Sequence, residues 1–128
     1  MNVLSPPELD EWIARYNYSR DAWAGHLTLV DVREQHEIEN QGQIYDSIHI
    51  PWGLAEHDSN ALVARFLVHN KEIPLIIYCR SGRRSRLAAA KAIELGFKNV
   101  YDLQGGILNW IENNLPVQSD TQASVALG

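Results

Sequence analysis

The stretch IIYCRSGRRSRLAAA, residues 76–90, decides how the rest of the 128-residue chain is read. Its front end completes IPLIIYC, an unbroken β-type run with little polar alternation, as expected of a central parallel strand covered on both faces. Its back end opens RRSRLAAAKAIELG, which reads as a helix stopped at Gly96. Between the two sits Cys79, the only cysteine, followed within five positions by Arg80, Arg83 and Arg84. Strand, thiol, arginines and helix in this order describe a reactive loop as well as a fold.

Working outward, strands keep alternating with helices. MNVL is a candidate edge strand. SPPELDEWIARY has a capping box at Ser5 and Glu8 and an apolar face of Leu9, Trp12, Ile13 and Tyr16. HLTLVDVRE reads as a buried strand ending in charge, EQHEIENQ as a short polar helix, and SIHIP as a strand stopped by Pro51. SNALVARFLVHN is a helix with Ser59 as candidate N-cap and a buried face of Leu62, Val63, Phe66 and Leu67. KNVYDL is a further strand, and GILNWIENNL a last helix ended by Pro116. The pattern predicts one α/β domain with a mainly parallel sheet over residues 1–117 and a disordered polar tail over 118–128. In such sheets the functional crevice lies beyond the carboxyl ends of the strands, where Cys79 falls.

Composition narrows the function. A net charge of -5 argues against general affinity for nucleic acid or anionic lipid, so any pull on anions is local. One cysteine makes no internal disulfide, and the five histidines show no metal-ligand spacing, so neither a metal nor a cofactor is expected. The lone thiol suits a reducing compartment. No leader segment and no membrane span is read, which predicts a cytoplasmic protein.

The thiolate, not the thiol, is the nucleophile, and helix N-termini and nearby cations favour it. A loop through Ser81 and Gly82 into a helix starting near Arg83 would turn several N–H donors toward one sulfur or one anion. The arginines add forked donors suited to sulfonate-like or phosphate-like oxygens. An inert buried thiol is the ordinary fate of a free cysteine. A purely structural loop, however, gains little from crowding three mutually repelling arginines, so Cys79 reads as reactive.

YCRSGRRS resembles the active-site loop of rhodanese-type sulfurtransferases, Cys-Arg-Ser-Gly-x-Arg-Ser between a strand and a helix. LVDVREQHEIENQGQIYDSIHIP resembles that family's Asp-Val-Arg-Glu segment, and LGFKNVYDLQGGILNW its closing segment with a Gly-Gly pair and a Trp. The resemblance spans about Ser5 to Leu115. It implies a five-stranded, mainly parallel sheet flanked by helices on both faces. It also implies a ping-pong reaction through a Cys79 persulfide, with thiosulfate or a persulfide as the anionic donor. The acceptor it implies is cyanide or a thiol, free or on a protein.

Arg80, Ser81, Gly82, Arg83 and Arg84 are then candidate substrate-binding residues, and Ser85 a supporting one. Asp31 and Arg33 read as an ion pair bracing the loop from behind, and Glu34 as the start of the next helix. Gly105 and Gly106 read as a turn bringing the chain close to the loop. Trp110 is expected in the core, and Trp52 and His57 could rim the site. One stretch departs from the family. Where a Gly-His-Ile-Pro-Gly-Ala turn is usual, this chain has Gln43, Tyr45 and Asp46 in place of the His, Pro and Gly.

Rhodanese-like phosphatases resemble a longer Cys-x5-Arg loop. Here Arg84 occupies the shorter position and Ser85 stands where their arginine would. Mercaptopyruvate sulfurtransferases resemble a Cys-Gly-Ser-Gly loop with fewer arginines. Two further readings share the fold: a persulfide relay serving a biosynthetic partner enzyme, and a non-catalytic binding domain, which would have no need of the thiol.

Overall fold

A computed structural model describes residues 2–17 and 27–119. Five strands, β1 (Asn2–Leu4), β2 (Thr28–Asp31), β3 (Ile48–His49), β4 (Leu75–Tyr78) and β5 (Val100–Leu103), form one sheet in the order β1-β5-β4-β2-β3. Every strand pairing in it is parallel. β4 is central and buried along its whole length, as its uninterrupted apolar run requires.

Six helices cover the two faces: α1 (Pro6–Asn17), α2 (Gln35–Gln41), α3 (Leu54–His57), α4 (Ser59–Leu67), α5 (Arg83–Glu94) and α6 (Gly106–Glu112). Alternate residues of β4 feed opposite cores. Leu75, Ile77 and Cys79 pack with Leu62 and Phe66 of α4 and the Ala88, Ala89 and Ala92 face of α5. Ile76 and Tyr78 pack with Leu9 of α1 and Ile107 and Trp110 of α6. The small alanines let α5 lie close on the sheet, which fixes where its first turn falls relative to the end of β4.

Several local signals act as read. Ser5 N–H donates to Glu8 Oε1 at 3.1 Å and Glu8 N–H to Ser5 Oγ at 3.3 Å, completing the capping box. Gly96 takes φ 100° just after α5. Trp110 is buried and donates its indole N–H to the Pro116 carbonyl at 2.9 Å.

Other expectations are corrected. The N-cap of α4 is Asp58, whose Oδ1 accepts the Ala61 N–H at 3.0 Å, so Ser59 is the first helical residue. Leu67 is exposed and Val63 only half-buried, because α4 buries a narrow face through Leu62 and Phe66, one turn apart, and the neighbouring positions turn away from it. The four-residue α3 was not anticipated. Gln118, the first residue of the expected tail, exchanges backbone hydrogen bonds with Gln43 at 2.8 and 2.7 Å. Residues 120–128, His26 and the side chain of Tyr16 lie outside the described residues.

Candidate active site

β4 ends at Tyr78, and Cys79 is the next residue, at the carboxyl edge of the central strand. Its side chain is 1% exposed. The Gly82 N–H donates to Cys79 Sγ at 3.0 Å. Gly82 adopts φ 121° as the N-cap of α5, a conformation that L side chains rarely reach, and so turns the chain from loop to helix within one residue. Ser85, fully buried in the first turn, places Oγ 3.4 Å from the sulfur.

A second contact orients the loop. The Ile107 N–H donates to the Cys79 carbonyl at 2.9 Å and the Leu108 N–H to the Arg80 carbonyl at 3.2 Å. These are first-turn donors of α6 that no helical carbonyl can satisfy. In a trans peptide the N–H points opposite to the C=O, so the Arg80 and Ser81 amides face away from α6. The close approach depends on Gly106. A Cβ there would lie 2.5 Å from the Cys79 carbonyl oxygen and nearer still to that of Arg80. The Gly-Gly turn thus has the backbone role expected of it.

Beside the loop opens a cleft of about 470 Å³, lined by Arg80, Ser81, Arg83 and Arg84 with Trp52 and Leu87. Trp52 rims the site as anticipated; His57 is not among the lining residues. The three arginines are not equivalent. Arg80 and Arg83 are exposed, and neither has an ion pair among the described residues. Arg84 is clamped by Glu37, its two terminal nitrogens each 2.7 Å from a carboxylate oxygen. The hydrogen bond to Arg84 is the main reason the Glu37 carboxyl is lowered to about 2, against the effect of its partial burial. The Arg84 charge is strengthened in turn, mainly by Glu37 and also by the nearby Cys79.

Asp31 and Arg33 do not reach the sulfur. Both are fully buried, joined at 2.7 Å between Arg33 Nη2 and Asp31 Oδ2. Burial opposes the guanidinium charge, but the Asp31 hydrogen bond and charge outweigh it and the net direction is upward. Arg33 also donates to the Gly42 carbonyl at 2.6 Å, so the pair ties β2 to the end of α2. Glu34 starts α2, its N–H donating to Glu37 Oε2 at 2.8 Å, and its own Oε1 accepts the Gly53 N–H at 2.9 Å. The departing turn lies elsewhere. Tyr45 and Asp46 line a separate cavity with Ile13 and Trp110, and neither lines the cleft beside Cys79.

Two site residues escaped the sequence reading. Glu37 was read only as part of a polar helix. Asp102 was read only as part of a strand, yet it is buried with Oδ1 2.5 Å from Ser85 Oγ. A carboxylate inside an otherwise apolar parallel strand was the available signal.

The match to known proteins agrees with this geometry. Residues 5–113 match the rhodanese-like domain. The chain belongs to the rhodanese-like family. A sulfurtransferase of Allochromatium vinosum is 37% identical over 91 residues, covering 71% of this chain and 78% of that protein. The tRNA uridine(34) hydroxylase of Photorhabdus laumondii is 34% identical over 94 residues, 70% of this chain but only 26% of that enzyme. Among solved structures, a rhodanese-related protein of Thermoplasma volcanium superposes with a TM-score of 0.70 at 28% identity, covering 92% of this chain and 98% of that one. The rhodanese-like unit therefore occurs both as nearly a whole protein and as a fraction of a much longer one. Among the described residues, no helix of this member is long and apolar enough to cross a membrane.

Proposed function

We propose that this chain is a sulfurtransferase that carries a sulfane sulfur on Cys79. The observation that carries the reading is the sulfur itself: buried at a strand end, hydrogen-bonded by the Gly82 N–H at 3.0 Å, beside a cleft with two guanidinium groups that have no ion pair among the described residues. The Cys79 thiolate attacks the outer sulfur of thiosulfate. The new S–S bond forms as the bond to the sulfonate sulfur breaks, and sulfite leaves with the electron pair. Arg80 and Arg83 attract the dianion and the departing sulfite. Ser81, Gly82 and the other loop amides hold the anionic persulfide. A thiolate acceptor, or cyanide, then attacks the outer persulfide sulfur and regenerates the Cys79 thiolate.

A second reading keeps the same cysteine but makes the chain a relay between a protein persulfide and a partner enzyme. The apolar rim of Trp52 and Leu87 favours it, as does the relation to a segment of a longer tRNA-modifying enzyme. A lone thiol is kept available in a reducing compartment, and we assign the reaction to the cytoplasm on that ground.

The test is intact-protein mass after incubation with thiosulfate, beside Cys79→Ser. Gain of one sulfur atom, reversed by cyanide or a thiol and absent from the variant, is expected. No gain while Cys79 still alkylates would exclude thiosulfate as donor and favour the relay.

A further inference from the structure

The sulfur chemistry above does not use Asp102, a buried carboxylate that reaches the cysteine loop through Ser85. Asp102 lies on β5, next to β4, paired in register with Ile77. It is 4% exposed, and burial is the main reason its carboxyl is raised from its ordinary value, against the Ser85 hydrogen bond and the Arg86 charge. Its Oδ1 sits 2.5 Å from Ser85 Oγ, and Ser85 Oγ is in turn 3.4 Å from Cys79 Sγ and 3.1 Å from the Gly82 carbonyl oxygen. A hydroxyl has one proton to give. It cannot serve a carboxylate and a thiolate together, so the bonds on either side of Ser85 must change in step.

We propose that Cys79 and Asp102 share one proton through the Ser85 hydroxyl, which makes Asp102 the internal acceptor of the thiol proton. With Cys79 as thiol, S–H donates to Ser85 Oγ and Ser85 donates to the Asp102 carboxylate. On activation the thiol proton passes to Oγ while the original hydroxyl proton passes to Oδ1. The negative charge moves from Asp102 to the sulfur, and Ser85 now donates to the thiolate. No proton enters or leaves the protein. Two anions on one hydroxyl repel, so the pair gives up its two protons in separate macroscopic steps. Asp102 touches neither the sulfur donor nor the sulfur acceptor and is a positioning residue that acts through Ser85.

The surrounding charges leave room for this coupling. From α5, Arg84 faces the sulfur but is clamped by Glu37 of α2, and Arg86 acts on Asp102 while its Nε donates to the Gly82 carbonyl at 3.0 Å. Arg80 and Arg83 stand at the cleft. From β2, Asp31 and Arg33 neutralise one another.

The proposal rests on Cys79 being the nucleophile, but its test reads thiol alkylation and so fails separately from sulfur transfer. The rate of iodoacetamide reaction at Cys79 is measured against pH in the wild type and in Asp102→Asn. The wild type is expected to rise in two steps, the lower from the shared-proton thiolate, and Asp102→Asn in one. A single step in the wild type, or two steps that survive the substitution, overturns the proposal. Should Asp102→Asn not fold, the Asp102 carboxyl carbon is followed by NMR. Two titration steps are expected in the wild type and one in Cys79→Ser; one step in both overturns it.

Discussion

Glu37 of α2 and Arg84 of α5 meet carboxylate to guanidinium, with both arms of the fork at 2.7 Å. The same Glu37 closes the first turn of its own helix by accepting the Glu34 N–H. One side chain therefore caps a helix and holds an arginine beside the Cys79 sulfur. Arg84 is better described as part of the wall than as a free guide for substrate.

This clamp makes stability depend on acid. The folded carboxyl titrates at about 2 against an ordinary 4.5, so its contribution is complete above the ordinary value and is lost as pH falls toward 2. Glu37→Gln is expected to lower stability near neutrality by roughly 1–2 kcal/mol. It should also flatten the loss on acidification. Urea melts across that pH range would show it; parallel pH profiles in both proteins would mean the clamp adds nothing.

Arg80 and Arg83 should behave differently. Arg80→Ala and Arg83→Ala are each expected to raise KM for thiosulfate by roughly threefold to tenfold, the worth of one exposed charge-assisted contact. Their kcat should change less. Steady-state kinetics at fixed ionic strength separates the two parameters, and wild-type KM in both variants would remove the electrostatic argument.

Gly106→Ala tests the clasp between α6 and the loop. The added Cβ meets two carbonyls, and φ at this position is 62°. A loss of about 3 kcal/mol is expected from overpacking and left-handed strain together. Thermal unfolding measures it, and a variant that melts with the wild type would mean the backbones separate at little cost.

Breaking the buried Asp31–Arg33 pair should be worse than removing it. Asp31→Asn leaves a guanidinium short of its counter-charge in a dry site and is expected to cost about 3–5 kcal/mol. Arg33→Met with Asp31→Leu should recover much of that loss in the same denaturant experiment.

What the sequence could show followed sequence distance. The cysteine loop is contiguous, so the strand, Gly82 and the start of α5 were legible together. Ser5 and Glu8 announced a helix because a capping box is local. Glu37 and Arg84 stand 47 residues apart, and Ser85 and Asp102 stand 17 apart. No local period links such pairs; the sheet order brings them together. Ser59 was taken for Asp58 because both are good N-caps and only the bond to Ala61 decides. Leu67 has the spacing of a buried residue, but α4 buries only the narrow face of Leu62 and Phe66.

The bonds from Ile107 and Leu108 to the loop carbonyls also make the cysteine loop depend on two helices rather than one. The Gly82 N–H is aimed at the sulfur by the loop's own turn, but the Cys79 and Arg80 carbonyls are held only when α6 is in place. The loop around the thiol is therefore complete only with both helices, α5 and α6, docked on the sheet. The surroundings of Cys79 thus report on a helix 27 residues downstream, since Ile107 binds its carbonyl directly.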